Sequence, residues 1–293
     1  MVVVYAGQLF INLERNIMIH IGQYNRLKIT GKNNEAYVLD GEGFGQLFLP
    51  VKEVQPHKEA GEEITVFLYH GHNGMVTPTC KTPLATAGTF AYLRVTSVDK
   101  VGAFLDWGLP KDLLVPFREQ VNRLVKGRYY TVYVYLDTKS GRLVATTKID
   151  KALDKTPALY KEGEKVDLLI WGKSDIGIKA IINNAHWGVL YQNEIFQKLK
   201  CGERIPGFIK TLRDDGKVDL SLYPPGHRKV DALSETLVSV LKEHDGFLPL
   251  TDRSSPREIY AMLGASKKTF KKAVGALYKR QMIIIKKDGI KLV

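Results

Sequence analysis

The chain has 293 residues, of which 44% are hydrophobic, and this is enough apolar material for two or more packed domains. Lys and Arg number 43 against 31 Asp and Glu, so the formal net charge is +12, a surplus that favours polyanionic partners. The two cysteines, Cys80 and Cys201, lie far apart and outside any Cys/His cluster, which argues against a disulfide framework or a zinc site.

Residues 1–17 are mildly apolar but have neither a basic segment nor a small-residue cleavage site, so they do not predict a signal peptide. Because the first convincing strand pattern begins at residue 18, we interpret residues 1–17 as a candidate non-native extension. No apolar run approaches the roughly 18 residues of a membrane span. Together with the sparse cysteines, this predicts a cytoplasmic protein.

One pattern occurs three times between residues 18 and 224. In each repeat a short apolar turn leads to a glycine, then a strand, a tight turn with a second glycine, and a final strand. The glycine pairs are 13 residues apart in the first repeat and 14 in the others: Gly61 and Gly74, Gly127 and Gly141, Gly202 and Gly216. Two strand-like runs precede each segment: Tyr24–Thr30 and Glu35–Leu39, Ala91–Val98 and Gly102–Trp107, Lys165–Trp171 and Gly177–Ile182. Five short strands in about 65 residues predict a small barrel.

The second repeat resembles the S1-type RNA-binding domain, an OB-fold barrel. Residues 95–106 read Val-Thr-Ser-Val-Asp-Lys-Val-Gly-Ala-Phe-Leu-Asp, similar to the strand-turn-strand of that family with its Gly-Ala-Phe core. Residues 114–115 and 137–146 resemble two further family segments. We therefore predict three tandem five-stranded OB barrels, at 18–83, 84–150 and 158–224.

A fourth module is predicted at 229–293, after the linker signal Pro224-Pro225-Gly226. An apolar stripe begins a first helix near residue 231, Ser255-Pro256 begins a second that ends at Gly264, and Ser266 caps a third. The turn at Lys287-Asp288-Gly289 predicts a closing β-hairpin. Three helices and a hairpin resemble a winged helix, so the predicted fold class is mainly β with a C-terminal α/β module.

The third helix of this module is strongly basic. Between Ser266 and Arg280 there is no acid, and six cations are candidate phosphate contacts: Lys267, Lys268, Lys271, Lys272, Lys279 and Arg280. Few of its side chains have the amide or guanidinium groups that read base edges, so non-specific nucleic-acid contact is expected.

Three S1-like barrels followed by a winged helix resemble the bacterial conserved virulence factor B family. The resemblance implies a cytosolic, non-enzymatic regulator that binds single-stranded RNA. The resemblance also places candidate RNA-binding residues on the barrels: Tyr37 in the first; Phe104, Asp137 and Arg142 in the second; Lys179, Arg213 and Lys217 in the third. Further candidates are the aromatic and cationic residues Trp107, Phe117, Arg118, Trp187 and Tyr191, because rings and cations hold single strands. The second repeat retains most of the family pattern and is expected to be the main site. Phe104 and Trp107 are three apart, so at most one of them should be core.

No catalytic motif of the nucleotide-binding, metalloprotease or serine-hydrolase type occurs in the sequence, and no cofactor or metal is expected. His70 and His72 lie at a predicted hairpin turn, where histidines are usually exposed without a ligand role. Two other functions stay open. One is a DNA-binding transcriptional regulator that uses the winged helix, and the other is a ribosome- or protein-binding scaffold whose barrels no longer hold RNA.

Overall fold

The computed structural model describes residues 19–195, 197–225 and 229–293, the side chains of 229–232 excepted, so the interpretation of residues 1–17 lies outside the described residues. The chain divides into two compact units. The first contains the residues up to 87 together with 107–113 and 135–144, and the second contains 88–106, 114–134 and 145–293. Among the described residues, no helix combines the length and the apolar character needed to cross a membrane.

The first barrel is an antiparallel sheet with the strand order β3-β2-β1-β4-β5. Its strands are β1 (Tyr24–Lys32), β2 (Ala36–Asp40), β3 (Gln46–Pro50), β4 (Glu63–His70) and β5 (Val76–Thr79). Alternate residues point inward, as the period-2 pattern requires, and form a core that includes Ile29, Leu39 and Val66.

The second and third barrels have the same strand order and are closed. The second consists of β6 (Phe90–Asp99), β7 (Gly102–Asp106), β8 (Leu113–Pro116), β9 (Tyr129–Leu136) and β10 (Leu143–Thr146). After the short helix α1 (Ile149–Ala152), the third consists of β11 (Lys165–Ser174), β12 (Gly177–Ile182), β13 (His186–Tyr191), β14 (Arg204–Leu212) and β15 (Val218–Ser221). Parallel pairing of β13 with β15 closes the third barrel. The predicted fold class is thereby confirmed for the barrels.

The repeated glycines mark turns, as predicted. All six have positive φ, between 64° and 98°, a backbone conformation in which glycine has no steric penalty.

Within the second compact unit, an apolar cluster joins residues of the second and third repeats. Phe90 and α1 residue Ile149 pack with Leu169 and Ile181 of the third barrel, and Leu153 completes the buried set. These strand residues point outward from their own barrel and are buried because another module covers them.

The C-terminal module consists of α2 (Lys229–Glu243), β16 (Phe247–Leu248), α3 (Pro256–Leu263), α4 (Lys267–Lys279), β17 (Ile283–Ile285) and β18 (Ile290–Leu292). As predicted, α3 begins after Ser255 and ends at Gly264, which has φ 64°. Ser255 and Glu258 form a reciprocal capping box. The hydroxyl of Ser266 accepts a hydrogen bond from Thr269 N and caps α4. The short strand β16, which the sequence did not predict, pairs with β18 and widens the hairpin into a three-stranded sheet.

Candidate nucleic-acid interface

A β-bulge lies at the same point in the first strand of every barrel. The register shifts between Ile29 and Gly31 in β1, between Val95 and Ser97 in β6, and between Ile170 and Gly172 in β11. The extra residues are Thr30, Thr96 and Trp171. Because a bulge residue does not join the ladder, its side chain is free to project differently from its neighbours.

The bulges define which residues of the second strands are equivalent. Gly31 pairs with Val38, Ser97 with Phe104, and Gly172 with Lys179. The structural counterpart of Phe104 in the first barrel is thus Val38, and the prediction of Tyr37 as an RNA-binding residue is wrong. Tyr37 is fully buried, because a shift of one residue along a strand moves a side chain to the opposite face.

The prediction of Trp107 as an RNA-binding residue is also wrong, because Trp107 belongs to a buried aromatic cluster and cannot stack on a base. Only 2% of the residue is exposed. Its ring lies edge-on to Phe67 and Tyr69, with centroids 5.8 and 6.2 Å away, and its indole Nε1 donates to Lys111 O at 2.6 Å. Phe104 is partly exposed, so the expectation that at most one of this pair is core is confirmed.

The predicted rim residues of the second barrel are accessible to solvent, but several of them already contact other side chains of the chain. The Phe117 ring has the guanidinium carbon of Arg123 3.8 Å from its centroid, a cation–π contact that the sequence did not predict. Arg118 is exposed and lies 3.9 Å from Glu119. In the hairpin between β9 and β10, Asp137 accepts from the Ser140 hydroxyl at 2.7 Å, and Arg142 is exposed.

The third barrel carries a cluster that we call the tryptophan–lysine cluster, formed by Trp171, Lys179 and Trp187. The Lys179 ammonium lies 4.0 Å from the Trp187 ring centroid and 5.5 Å from that of Trp171. The two indoles meet edge-on at 5.5 Å, and Trp187 Nε1 donates to Asp150 at 2.7 Å. Trp187 is partly buried, whereas Trp171 is 38% exposed. An indole therefore faces solvent beside a positive charge.

His186, which precedes Trp187, contacts the chain segment before β11 through both of its ring nitrogens. One ring nitrogen lies 2.9 Å from the Tyr160 hydroxyl and the other lies 3.0 Å from Thr156 O. Burial, and then the charges of Glu164 and Asp154, raise the pKa of Tyr160. The pair therefore holds the segment before β11 through hydrogen bonds.

Tyr191 lies in a polar network at the end of β13. Its hydroxyl donates to Asp219 at 3.2 Å and accepts from Arg213, whose Nε donates to the same carboxylate at 3.0 Å. Lys210 and Arg213 lie 5.6 and 5.8 Å from the Tyr191 ring centroid. Lys217 pairs with Asp215 at 2.7 Å. Most of this cationic charge is thus balanced by acids, and the network orders the edge of the barrel.

On α4 the predicted cations surround a buried apolar stripe of Phe270, Ala273 and Leu277. Lys267 is partly buried, and the other five predicted cations are exposed: Lys268, Lys271, Lys272, Lys279 and Arg280. The helix thus presents positive charge on its solvent side.

Trp171 is the functional candidate that sequence reasoning missed. The signal was present in the strand itself, because Ile29-Thr30-Gly31, Val95-Thr96-Ser97 and Ile170-Trp171-Gly172 align as one tripeptide. Likewise, Leu39-Asp40 aligned with Leu105-Asp106 would have matched Val38 to Phe104.

Family comparisons agree with this architecture. A model of the S1 domain matches residues 21–81 and 87–148, and a model of the CvfB-like winged helix domain matches residues 235–292. Conserved virulence factor B of Staphylococcus epidermidis is 27% identical over 282 residues, covering 93% of this chain and 94% of that protein. The Staphylococcus aureus protein of the same name is 27% identical over 281 residues with the same coverage.

Among solved structures, a multidomain protein with nucleic acid binding domains from Streptococcus pneumoniae is 24% identical. The match covers 93% of this chain and 98% of that one, with a TM-score of 0.43. The sequence comparisons and the domain models confirm the predicted resemblance to the conserved virulence factor B family.

Proposed function

We propose that this protein is a cytoplasmic, non-enzymatic regulator that binds single-stranded RNA. The tryptophan–lysine cluster of the third barrel provides the main base-stacking surface, and the lysines of α4 contact phosphates. The observation that carries the proposal is the exposed Trp171 indole beside the Lys179 ammonium. S1-type and winged-helix modules are binding modules, which supports a role without catalysis.

The position of the cluster supports a nucleic-acid ligand. OB-folds bind oligonucleotides on the face of their second and third strands, and Lys179 and Trp187 lie on those strands. An aromatic ring that stacks on a base contributes about 1–3 kcal/mol, and a nearby cation adds attraction for the backbone. Both components are present at this surface.

The proposal moves the main site from the second barrel, where it was predicted, to the third. Of the predicted aromatic ligands in the first two barrels, Tyr37 and Trp107 are buried. The Phe117 ring is covered on one face by Arg123. Phe104 stays a secondary candidate, because its ring is partly exposed on β7.

Replacing Trp171 tests the stacking surface. Trp171→Ala is expected to weaken binding of a fluorescently labelled single-stranded RNA by about 5- to 150-fold, the equivalent of one lost stack. Trp171→Phe should restore most of the affinity, because it keeps an aromatic face. Tyr260→Ala, which removes an exposed ring from α3, is the control. An unchanged Kd for Trp171→Ala would remove the third barrel from the proposal.

The α4 lysines are tested by the salt dependence of binding. Replacing Lys267, Lys268, Lys271 and Lys272 with Gln should reduce the slope of log K against log salt by up to about 2.8, at roughly 0.7 per phosphate of a single strand. The control replaces four exposed lysines of the first barrel, Lys28, Lys32, Lys52 and Lys81, and so changes the net charge equally. A slope for the α4 variant equal to that of the parent chain would mean that α4 contacts no phosphate.

A matched duplex DNA serves as competitor in both titrations. Tighter binding to the duplex would favour a DNA-binding regulator, and no salt-sensitive binding to either nucleic acid would favour a protein scaffold.

A further inference from the structure

A cluster of basic side chains surrounds the hairpin between β4 and β5 in the first compact unit. We call it the hairpin cluster, and it consists of His70, Lys111 and Arg142. His70 ends β4, Lys111 lies just before β8, and Arg142 just before β10. All three belong to the same unit.

His70 contains a buried nitrogen without a partner. Its Nδ1 is the one fully buried side-chain nitrogen or oxygen atom among the described residues that makes no hydrogen bond. Burial, and then the positive charges of Lys111 and Arg142, hold the pKa of this imidazole below its ordinary value of 6.5. The charged groups that act on His70 are therefore both cations.

Lys111 is held against the hairpin by two contacts. Its carbonyl accepts from the Trp107 indole at 2.6 Å, and its ammonium donates to Gly71 O at 2.8 Å. Burial, and then the charge of Arg142, lower the pKa of Lys111. The ammonium has three donors, so the bond to Gly71 leaves two for a ligand.

Arg142 reaches the tip of the same hairpin. A methyl group added to Gly74 would lie 3.8 Å from its Nη2 atom, so the guanidinium lies over the hairpin backbone. His72 also contacts the second repeat, through Nε2 and Pro110 O at 3.3 Å. The hairpin backbone thus has two cations beside it, which come from different segments of the chain.

Two acids of the same compact unit, Glu53 and Asp137, have partners outside the cluster. Glu53 accepts from the Thr79 hydroxyl at 2.6 Å and from Cys80 N at 3.0 Å. Asp137, in the same hairpin as Arg142, accepts from Ser140.

We propose that His70, Lys111 and Arg142 form a binding site for a phosphate group. Arg and Lys make charge-assisted hydrogen bonds to phosphate oxygens, and an anion between them would relieve their mutual repulsion. It would also reverse the electrostatic field at His70 and favour the imidazolium. The ligand chemistry is that of a phosphate group, whether in an RNA backbone or as a free anion, and the site does not depend on the stacking surface of the third barrel.

The experiment measures the pKa of His70 by NMR titration of the imidazole signals in the full chain, which contains seven histidines. His70→Gln assigns the signal. Inorganic phosphate is compared with chloride at equal ionic strength, and a single-stranded RNA forms a separate arm. Phosphate is expected to raise the pKa of His70 above its value in chloride. Arg142→Gln and Lys111→Met should abolish that rise, whereas Lys139→Gln, an exposed lysine of the same hairpin as Arg142, should preserve it.

Each outcome decides the proposal. A rise with inorganic phosphate supports it even if the protein binds no RNA, and a rise with RNA alone supports it with the backbone phosphodiester as the ligand. No rise in either arm overturns it. A rise that persists in both Arg142→Gln and Lys111→Met also overturns it, because the anion would then lie elsewhere. Arg142 is exposed, so its replacement is not expected to unfold the chain.

Discussion

The first and third barrels have the same strand order and the same bulge but use the extra residue differently. In the first barrel the Thr30 hydroxyl donates to Val38 O at 3.2 Å, and in the second Thr96 makes the same bond to Phe104 O at 3.0 Å. Trp171 has no hydroxyl, and its indole instead meets Lys179 and Trp187. A bulge thus allows either a locally bonded residue or an exposed ring without a change of fold.

A second difference concerns the glycine before the fourth strand. A Cβ on Gly61 or Gly127 would meet no atom within 4 Å, whereas a Cβ on Gly202 would clash with the Tyr92 ring. In the third barrel this turn is therefore also a packing surface for β6. The turn before the fourth strand therefore has no room for a side chain in the third barrel, where Tyr92 of the second repeat packs against Gly202.

The largest expected effect is on the free energy of unfolding, and it follows from the packing of Tyr92 against Gly202. Gly61→Ala and Gly127→Ala should each cost about 1–2 kcal/mol, because alanine is strained at positive φ. Gly202→Ala should cost about 2–5 kcal/mol, because overpacking against Tyr92 adds roughly 1–3 kcal/mol. Urea unfolding of the three variants measures the difference. Equal destabilisation would show that Tyr92 moves aside without cost.

An exchange of bulge residues has the next largest effect. Trp171→Thr gives the third barrel the residue of the other two, and should weaken RNA binding by about 1–3 kcal/mol while the fold is retained. The reverse change, Thr96→Trp beside Phe104, should strengthen binding by less, because no lysine matches Lys179 there. Affinities measured by fluorescence anisotropy, with circular dichroism as the folding control, test both changes. Weaker binding by Thr96→Trp would contradict the equivalence of the two bulges.

The sequence predicted the features that depend on local pattern. Period-2 alternation located the strands, the glycines located the turns, and Ser255 and Ser266 located the helix starts. Register across strands is not local, and a bulge shifts it by one residue without changing the alternation on either side. For that reason the sequence assigned Tyr37 to the wrong face and overlooked Trp171. The hairpin cluster was also inaccessible to sequence reasoning, because His70, Lys111 and Arg142 are brought together only by packing.

The smallest expected effect is on the pH dependence of stability, and it concerns the last residue of the fourth strand. This residue is His70 in the first barrel but Leu136 and Leu212 in the others. Since the pKa of His70 is lowered in the folded state, the unfolded chain binds the proton first as the pH falls through 6.5. The stability contributed by the neutral imidazole is therefore complete above pH 6.5 and is lost below it.

His70→Leu, which gives the first barrel the residue of the other two, should reduce the loss of stability on acidification. Urea midpoints of the first compact unit, followed through the buried Trp107, are compared at neutral pH and at a pH below the lowered pKa of His70. His57→Gln removes an exposed histidine from the same barrel and should leave the pH dependence in place. If His70→Leu loses as much stability on acidification as the parent chain, another group is responsible for that loss, and the buried imidazole contributes only packing.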